Sequence, residues 1–586
     1  MTVTAGARAA VPSSVTQQRD RVWVPRLAAG VSIVIGLLDI AAGVLPSVWH
    51  RLEGLADLLP GAFTNASRAG VVVAGVGFLL LAGALARRKR RAWQLTLGLL
   101  VGSALLHLVE GPNWILFTVS LVMATALALL QREFYAVGDP RTRWSSLGAF
   151  VALGLVSLLV GSLLVYGLRA HAARSEGFAK TFGWIALGFF GIPTPLDATD
   201  SPSSDSLYYG LLGLGLLTAG VTLFLLLRSP RPLPFLSATD EEDMRRLLDR
   251  EGCRDSLGYF ALRRDKSVVW SPSRKSCIAY QVTSGVMLAS GDPLGDPEAW
   301  PGAISAFLEE ARIHAWVPGV VACSETGAEV WCREAGLEAL EIGDEAIVDV
   351  DSFTLEGRAM RNVRQMVNRV RRAGYVCEAR RLHEVPAEEL DEIRAKADTW
   401  RVGDTERGFS MALGRIGDPG DEECVLVTAR LDDEVRGLLS FVPWGRDGLS
   451  LDLMRRDQTA DPGLNELLIV EALEQAPRLG VRRMSLNFAV FRSAFERGER
   501  IGAGPLTRAW RRLLLFASRF AQIESLYRFN AKFRPVWEPR FILYSAVLGL
   551  PRLTIAYLEA EAFISRPRLT FWRARDRRAA AATRPA

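Results

Sequence analysis

The sequence is poor in cysteine, and its cysteines follow no metal-binding or disulfide pattern. Only six occur among 586 residues, and no two have the spacing of a C-x-x-C pair. They are Cys253, Cys277, Cys323, Cys332, Cys377 and Cys424. A zinc site or a disulfide framework is therefore not expected, and unpaired thiols are typical of a reducing compartment.

The first 20 residues lack the features of a cleavable signal peptide. A polar stretch rich in Ser and Thr precedes the first apolar run, and no A-x-A cleavage site follows that run. We expect the first apolar helix to remain as an anchor. Residues 1–24 are then a cytoplasmic N-terminal segment.

Long apolar runs are absent from the C-terminal part of the chain but dominate the N-terminal part. The charged fraction of 23% is an average of these two regimes. Residues 25–228 are predicted to form a transmembrane domain of about six helices, because each run approaches the ~20 residues that a bilayer requires. The predicted spans are 27–45, 69–86, 93–108, 114–130, 147–168 and 207–227.

Basic residues in the short loops predict the orientation of these spans. They precede span one, join spans two and three, join spans four and five, and follow span six. The positive-inside rule then places both termini and the C-terminal domain in the cytoplasm. Asp39 and His107 lie within spans and indicate either a polar path for a lipid headgroup or side chains that pair internally or reach water.

The polar part of the chain contains the same order of elements twice. Hairpin strands, a crossing helix and a returning strand are predicted within residues 237–375 and again within 376–565. This order resembles the GNAT acyltransferase architecture in tandem. The predicted fold class is a multispan α-helical membrane domain followed by an α/β tandem GNAT-like acyltransferase domain.

A glycine-rich phosphate loop is missing where a GNAT enzyme that uses coenzyme A usually has one. The corresponding segment, 456–463, has one glycine and two aspartates. Acidic side chains repel a pyrophosphate, whereas backbone N–H groups at a helix N-terminus hold it. We therefore do not expect acyl-CoA as the acyl donor.

The segment 357–375 has six arginines and no acidic residue. Its apolar residues recur at three- and four-residue spacing, which predicts an amphipathic basic helix. Contact with tRNA phosphates, contact with anionic lipid and a solvated face all remain open. The arginines singled out for phosphate contact, including a second cluster, are Arg361, Arg364, Arg369, Arg372, Arg508, Arg511 and Arg512.

Five strings between residues 240 and 545 resemble one family, the phosphatidylglycerol aminoacyltransferases of the multiple peptide resistance factor type. They are DSLGYFAL (255–262), IAY (278–280) with GDP (291–293), NRVRRAGY (368–375), DLMR (452–455) and KFRPVWEPR (532–540). The N-terminal part is similar to the shorter membrane region of actinobacterial members, some of which continue into a lysyl-tRNA synthetase.

The resemblance implies transfer of an aminoacyl group from aminoacyl-tRNA to phosphatidylglycerol, with lysine as the default and alanine or ornithine open. The product is a more cationic lipid that confers resistance to cationic antimicrobial peptides. No metal and no cofactor are expected, with aminoacyl-tRNA as co-substrate and phosphatidylglycerol and the cell membrane as partners. Lipid translocation by the membrane domain stays open.

The resemblance also implies that the second repeat is catalytic, and it implies roles for individual residues. Asp452 is assigned to general-base work or to holding the α-ammonium of the donor, Arg455 to phosphate or the developing oxyanion, and Lys532 to a phosphate or carbonyl contact. Glu538 and Arg540 are assigned either to substrate or to a mutual ion pair, and Asn487 to the pocket wall. Asp452 and Arg455 can share a site only if a bulge interrupts their strand.

Two alternatives from other classes remain at this point. One is a membrane-tethered acyltransferase that uses acyl-CoA, and the other is a lipid flippase or lipid-binding protein without catalysis. The basic tail 566–586 is expected to be disordered. The sequence does not predict an oligomeric state.

Overall fold

The chain forms two compact units, Met1–Pro230 with Ile313–Ala315, and Arg231–Arg312 with Trp316–Ala586. The computed structural model describes residues 23–44, 68–109, 114–136, 142–168, 178–189, 202–227, 236–401, 408–490, 523–546 and 549–564. The basic tail and the cluster Arg508, Arg511 and Arg512 lie outside these residues.

The described part of the first unit is helical. Its helices are α1 (Trp23–Val44), α2 (Arg68–Leu85), α3 (Arg90–Val109), α4 (Trp114–Leu129), α5 (Thr142–Leu168), α6 (Phe178–Gly188) and α7 (Pro202–Leu226). Each predicted span coincides with one of them. Two described stretches, Ser146–Val165 and Tyr209–Leu226, are long and apolar enough to cross a membrane, and the count of six spans remains a prediction. Asp39 falls on α1 and His107 on α3, with their side chains outside the described atoms.

Helices α5, α6 and α7 pack closely against one another. Val165, Ile185 and Leu211 form their buried contact. A Cβ atom at Gly215 would lie 2.1 Å from the carbonyl oxygen of Phe189, so only glycine permits this approach.

The second unit is built on one sheet of twelve strands with helices on both faces. The strands are β1 (Ser267–Trp270), β2 (Ser276–Thr283), β3 (Val286–Ser290), β4 (Leu294–Gly295), β5 (Val317–Cys323), β6 (Glu338–Asp349), β7 (Val376–Arg381), β8 (Val425–Leu431), β9 (Glu434–Trp444), β10 (Gly448–Arg456), β11 (Arg483–Val490) and β12 (Val536–Tyr544). Their spatial order is β1-β2-β3-β5-β12-β6-β11-β10-β9-β8-β7, and β4 pairs with β2.

The helices of this unit connect the strands or cover the sheet. They are α8 (Ala238–Glu251), α9 (Trp300–Ile313), α10 (Glu325–Ala335), α11 (Arg361–Arg372), α12 (Ala387–Thr399), α13 (Leu464–Gln475), α14 (Ile523–Ala531) and α15 (Leu550–Ala560). In the first repeat an antiparallel hairpin leads through α9 to β5, which is parallel to β3. In the second repeat a hairpin leads through α13 to β11, which is parallel to β10. The predicted repeated GNAT-like order is confirmed.

The sequence did not predict that the two repeats exchange their last strands. Strand β6 of the first repeat pairs with β11 of the second, and β12 of the second pairs with β5 of the first. Strands β6 and β12 also pair with each other in the middle of the sheet. Pro539 lies where β12 pairs with β6 before its pairing with β5 begins, so a residue without an N–H group is tolerated there.

Candidate active site

The two central strands of the second repeat separate at the position where the candidate residues lie. Strands β10 and β11 are paired from Gly448 to Ser450 only. The register of β10 with β9 shifts between Leu451 and Leu453, so Asp452 occupies a bulge. A bulge inserts one residue and re-aims the side chains that follow it.

A cavity of about 230 Å³ opens beside this bulge, and both Asp452 and Arg455 line it. The bulge that their shared site required is therefore present. The lining residues carry four arginines and two aspartates, so the cavity is positively charged overall. These are Arg394, Arg401, Arg415, Arg455, Asp398 and Asp452.

Both residues are held by backbone groups from outside their own strand. The Leu413 N–H donates to Oδ1 of Asp452 at 2.6 Å. Arg455 donates through Nη1 to the carbonyl oxygen of Ala397 on α12, also at 2.6 Å. A carboxylate fixed by an N–H and a guanidinium fixed by a carbonyl form a pre-oriented pair of opposite charges at one cavity.

The segment 408–417 forms one wall of the cavity, and sequence reasoning missed it. It supplies Gly414, Arg415 and Ile416 to the lining. Arg394 donates to the carbonyl oxygen of Ile416 at 2.9 Å and thereby ties the segment to α12. The available signal was the recurrence of glycine at 408, 414 and 417, and all three have positive φ angles in the structure.

Asn487 bridges the gap between the separating strands. Its Nδ2 donates to the carbonyl oxygens of Leu451 and Met411, each at 3.0 Å. Its backbone has a φ of +67°, a left-handed conformation that asparagine tolerates better than most residues. In the structure Asn487 thus joins β11, the bulge and the 408–417 segment.

Lys532 lies outside the residues that line this cavity. Its Nζ is 2.6 Å from Oε1 of the buried Glu466 on α13, and it sits over the ring of Phe529. Its predicted contact with a phosphate or carbonyl stays a prediction, and the contact that the structure describes is an ion pair.

The predicted ion pair between Glu538 and Arg540 is wrong for the described structure. Arg540 is 3% exposed and bonds to Glu345, and it also donates to Asp255 at 2.8 Å and to Ser256 at 2.7 Å. Glu538 is exposed on the same strand. Arg540 is therefore buried among carboxyl groups of other segments, and its predicted contact with substrate stays a prediction.

This buried cluster holds one guanidinium among several carboxyl groups. Burial raises the pKa of Asp255 above its usual range, Arg540 opposes that rise, and Asp292 adds to it. Glu345 also accepts hydrogen bonds from the hydroxyls of Ser256 and Ser485. The cluster therefore links β6, β12, β11 and the segment before the first hairpin.

The basic helix α11 is present and shorter than predicted. Val363, Val367 and Val370 are buried against the core that includes α13. Arg371 is ion-paired with Glu471 and Glu474 of α13. Arg361, Arg369 and Arg372 are exposed and Arg364 is half-buried, with Arg364 donating to Leu355 O, Arg369 to Pro462 O and Arg372 to Asn368 O.

Side chains of the loop 456–463, which precedes α13, form hydrogen bonds within the loop. Asp457 accepts hydrogen bonds from the N–H and hydroxyl of Thr459, and these bonds lower its pKa. Gly463 begins α13 with a φ of +103°.

Among the described residues, no group of three or more His, Cys, Asp or Glu side chains could hold a metal ion.

Two family models match this chain. Residues 245–544, which include the bulge and its cavity, match the model described as phosphatidylglycerol lysyltransferase, C-terminal. Residues 20–172 match the model described as the transmembrane region of lysyl-tRNA synthetase.

Curated relatives match along nearly the whole chain. The lysylphosphatidylglycerol biosynthesis bifunctional protein LysX of Mycolicibacterium vanbaalenii is 42% identical over 97% of this chain and 52% of its own length. LysX of Nocardia farcinica is 44% identical over 83% of this chain and 44% of its own length. The chain thus spans about half the length of the curated relatives it matches. Among solved structures, L-PGS from Bacillus licheniformis covers 58% of this chain over its full length, at 21% identity and a TM-score of 0.49.

Proposed function

Because this chain belongs to the phosphatidylglycerol lysyltransferase family, we propose that it transfers an aminoacyl group from aminoacyl-tRNA to a glycerol hydroxyl of phosphatidylglycerol. The observation that carries the proposal is the shared cavity of Asp452 and Arg455 at the bulge in β10. Lysine is the favoured amino acid, since the relatives are named for lysylphosphatidylglycerol biosynthesis.

The reaction exchanges one ester for another. The glycerol hydroxyl attacks the aminoacyl carbonyl and its proton passes to the Asp452 carboxylate. The bond to the terminal ribose oxygen then breaks, and that oxygen takes the proton. Such an exchange requires a base and nearby cations, and no net oxidation or nucleotide hydrolysis.

The charges around the cavity support this assignment. Arg455 is positioned for the developing oxyanion or a phosphate, and Arg394, Arg401 and Arg415 extend the positive charge around it. Both proposed substrates carry phosphates, and a preoriented guanidinium interacts with them without further reorganisation.

The loop 456–463 favours aminoacyl-tRNA over acyl-CoA as the donor. A pyrophosphate placed before α13 would meet Asp457 and Asp461. It would also approach Glu466, which is buried in the first turn of α13 and already paired with Lys532. Three carboxyl groups at one helix N-terminus oppose the usual anion site there.

Expression of the full chain in a host that lacks aminoacylated lipids tests the proposal. Membranes are supplied with tRNA, the matching synthetase and labelled lysine, alanine or ornithine in turn, and the lipids are separated by chromatography. We expect labelled lipid with lysine and its loss after ribonuclease treatment. Label that persists after ribonuclease and depends on acyl-CoA would replace this function with the alternative.

Helix α11 is better suited to RNA phosphates than to a lipid surface. A helix that lies in a membrane interface buries an apolar face in the lipid. The valines of α11 are already buried in the protein, and its exposed residues are arginine, asparagine and glutamine, with no acid among them. The described face thus offers charge and hydrogen-bond donors, which are the groups that bind a nucleic-acid backbone.

Replacing both Arg361 and Arg369 with alanine is expected to raise the KM for aminoacyl-tRNA and leave kcat nearly unchanged. The slope of log KM against the logarithm of the salt concentration should fall by about one for each phosphate contact removed. The matched control is Arg333→Ala, an exposed arginine on α10. A raised KM for phosphatidylglycerol instead of tRNA would assign the helix to lipid.

The remaining parts of the proposal concern the membrane. We infer six spans, a cytoplasmic catalytic unit and cytoplasmic termini from the apolar runs and basic loops of the sequence. The transmembrane family model supports a membrane region over residues 20–172. This orientation places the catalytic unit in the compartment that contains aminoacyl-tRNA.

A further inference from the structure

The segment 408–413 is held at its N-terminal end by the buried carboxylate of Glu561. Glu561 follows α15 and is fully buried. Its Oε2 accepts from the N–H of Phe409 at 2.7 Å, and its Oε1 accepts from the N–H of Ser410 at 3.1 Å and from the Ser410 hydroxyl at 2.6 Å. Three donors from two consecutive residues thus converge on one carboxylate.

The first repeat holds the same end of the segment. Arg263 donates to the carbonyl oxygen of Gly408 at 2.6 Å. The Nζ atom of Lys266 lies 4.7 Å from the centre of the Phe409 ring, and Lys266 is itself buried and bonded to the carbonyl oxygen of Phe260. The anchor therefore involves the first repeat and the end of the chain's last described helix.

The other end of the segment touches the candidate active site. Four residues after Phe409, the Leu413 N–H donates to the Asp452 carboxylate. Between them, the carbonyl oxygen of Met411 accepts from Asn487, which also holds the bulge at Leu451. A shift of this short segment would move the hydrogen-bond donor of Asp452.

Breaking the hydrogen bonds between Glu561 and the segment 408–413 is energetically costly. A buried carboxylate that loses its donors bears the cost of desolvation without compensation. Burial already raises the pKa of Glu561, and its bonds to Ser410 and Phe409 oppose the rise. The carboxylate and the segment therefore stabilise each other in one geometry.

We propose that Glu561 is a positioning residue for Asp452, acting through the segment 408–413 to fix the Leu413 N–H against the Asp452 carboxylate. This inference rests on the proposed function for the role of Asp452. It assigns a catalytic effect to a residue that lies beyond the matched family region and outside the cavity lining.

The test compares kcat and KM of the full chain in membranes for Glu561→Ala, Glu561→Gln and Ser410→Ala. Alanine at 561 removes all three acceptor contacts, and we expect kcat to fall by about 10- to 100-fold, because small displacements of a catalytic group have effects of that size. The other two variants lose fewer contacts and should have smaller effects. The KM values for tRNA and lipid should change by less than about twofold, since no substrate contact is removed.

The matched controls are Glu559→Ala and Glu559→Gln. Glu559 lies near the end of α15, two residues before Glu561, and accepts a hydrogen bond from the Ser284 hydroxyl of the first repeat at 2.6 Å. We expect near wild-type kcat for both. Equal loss in the Glu559 and Glu561 variants, or unchanged kcat in Glu561→Ala, would overturn the inference.

Hydrogen exchange separates this inference from the proposed function. The amides of Phe409, Ser410 and Leu413 should exchange faster in Glu561→Gln than in Glu559→Gln, whether or not the chain is active in the assay. Equal exchange would refute the anchoring. A wild-type chain that forms no aminoacylated lipid would refute the proposed function, and the exchange comparison would still decide whether Glu561 holds the segment.

Discussion

Replacing Asp452 with asparagine is expected to lower kcat/KM for the formation of aminoacylated lipid by about 10²- to 10⁴-fold, which is the usual contribution of a positioned general base. Asparagine has nearly the same shape and its Oδ1 can still accept from the Leu413 N–H. The fold and the cavity should therefore persist while the proton acceptor is lost. The measurement is the initial rate of labelled lipid formation in membranes that contain equal amounts of protein.

A matched control for this substitution is Asp433→Asn. Asp433 is exposed in the turn between β8 and β9 with a φ of +64°, a conformation that asparagine also tolerates. We expect this variant to retain wild-type activity. Undiminished product from Asp452→Asn would remove Asp452 from the base role.

Replacing Arg540 with methionine is expected to lower the free energy of unfolding by about 3–5 kcal/mol, the range for a buried ion pair that loses one partner. The carboxyl groups of Glu345 and Asp255 would stay buried without their cation. The measurement is unfolding of the purified protein in detergent, followed by circular dichroism. Adding Glu345→Gln to the same chain should recover part of the loss, because it removes one uncompensated charge.

The loss should also depend on pH. Burial raises the pKa of Asp255 in the folded protein, so its protonated form stabilises the fold at low pH and this stabilisation is lost as the pH rises through that pKa. Arg540→Met should therefore be less destabilising at about pH 5 than at about pH 7. The control is Arg482→Met, whose ion pair with Asp351 is largely exposed and contributes at most about 1 kcal/mol. A loss of similar size in both variants would contradict the structural role of the cluster.

Local patterns predicted much of the second unit. The sequence predicts a strand at SVVW (267–270), and β1 has these bounds, because β-branched and aromatic residues between turn residues are local signals. The helix over 357–375 was predicted from the spacing of its valines, and their burial confirms the spacing. The bulge at Asp452 followed from requiring two side chains three residues apart to share one site, and the register shift confirms it.

The contacts that the sequence did not predict join distant parts of the chain. Arg540 meets Glu345 across 195 positions and Asp255 across 285, and no periodicity encodes such a pairing. The ion pair of Lys532 with Glu466 spans 66 positions. The 408–417 wall has no regular secondary structure, so patterns of apolar residues carry no signal for it.

The exchange of β6 and β12 has a consequence for the way in which this protein is synthesised. Strand β5 leaves the ribosome about 200 residues before β12, which pairs with it on the side away from β3. Strand pairings this distant in sequence form slowly. Until β12 arrives, the nascent first repeat presents an open β edge, which is a template for aggregation. Pairing of β12 with β5 therefore covers this edge, so the sheet of the first repeat is completed only after the second repeat has been synthesised.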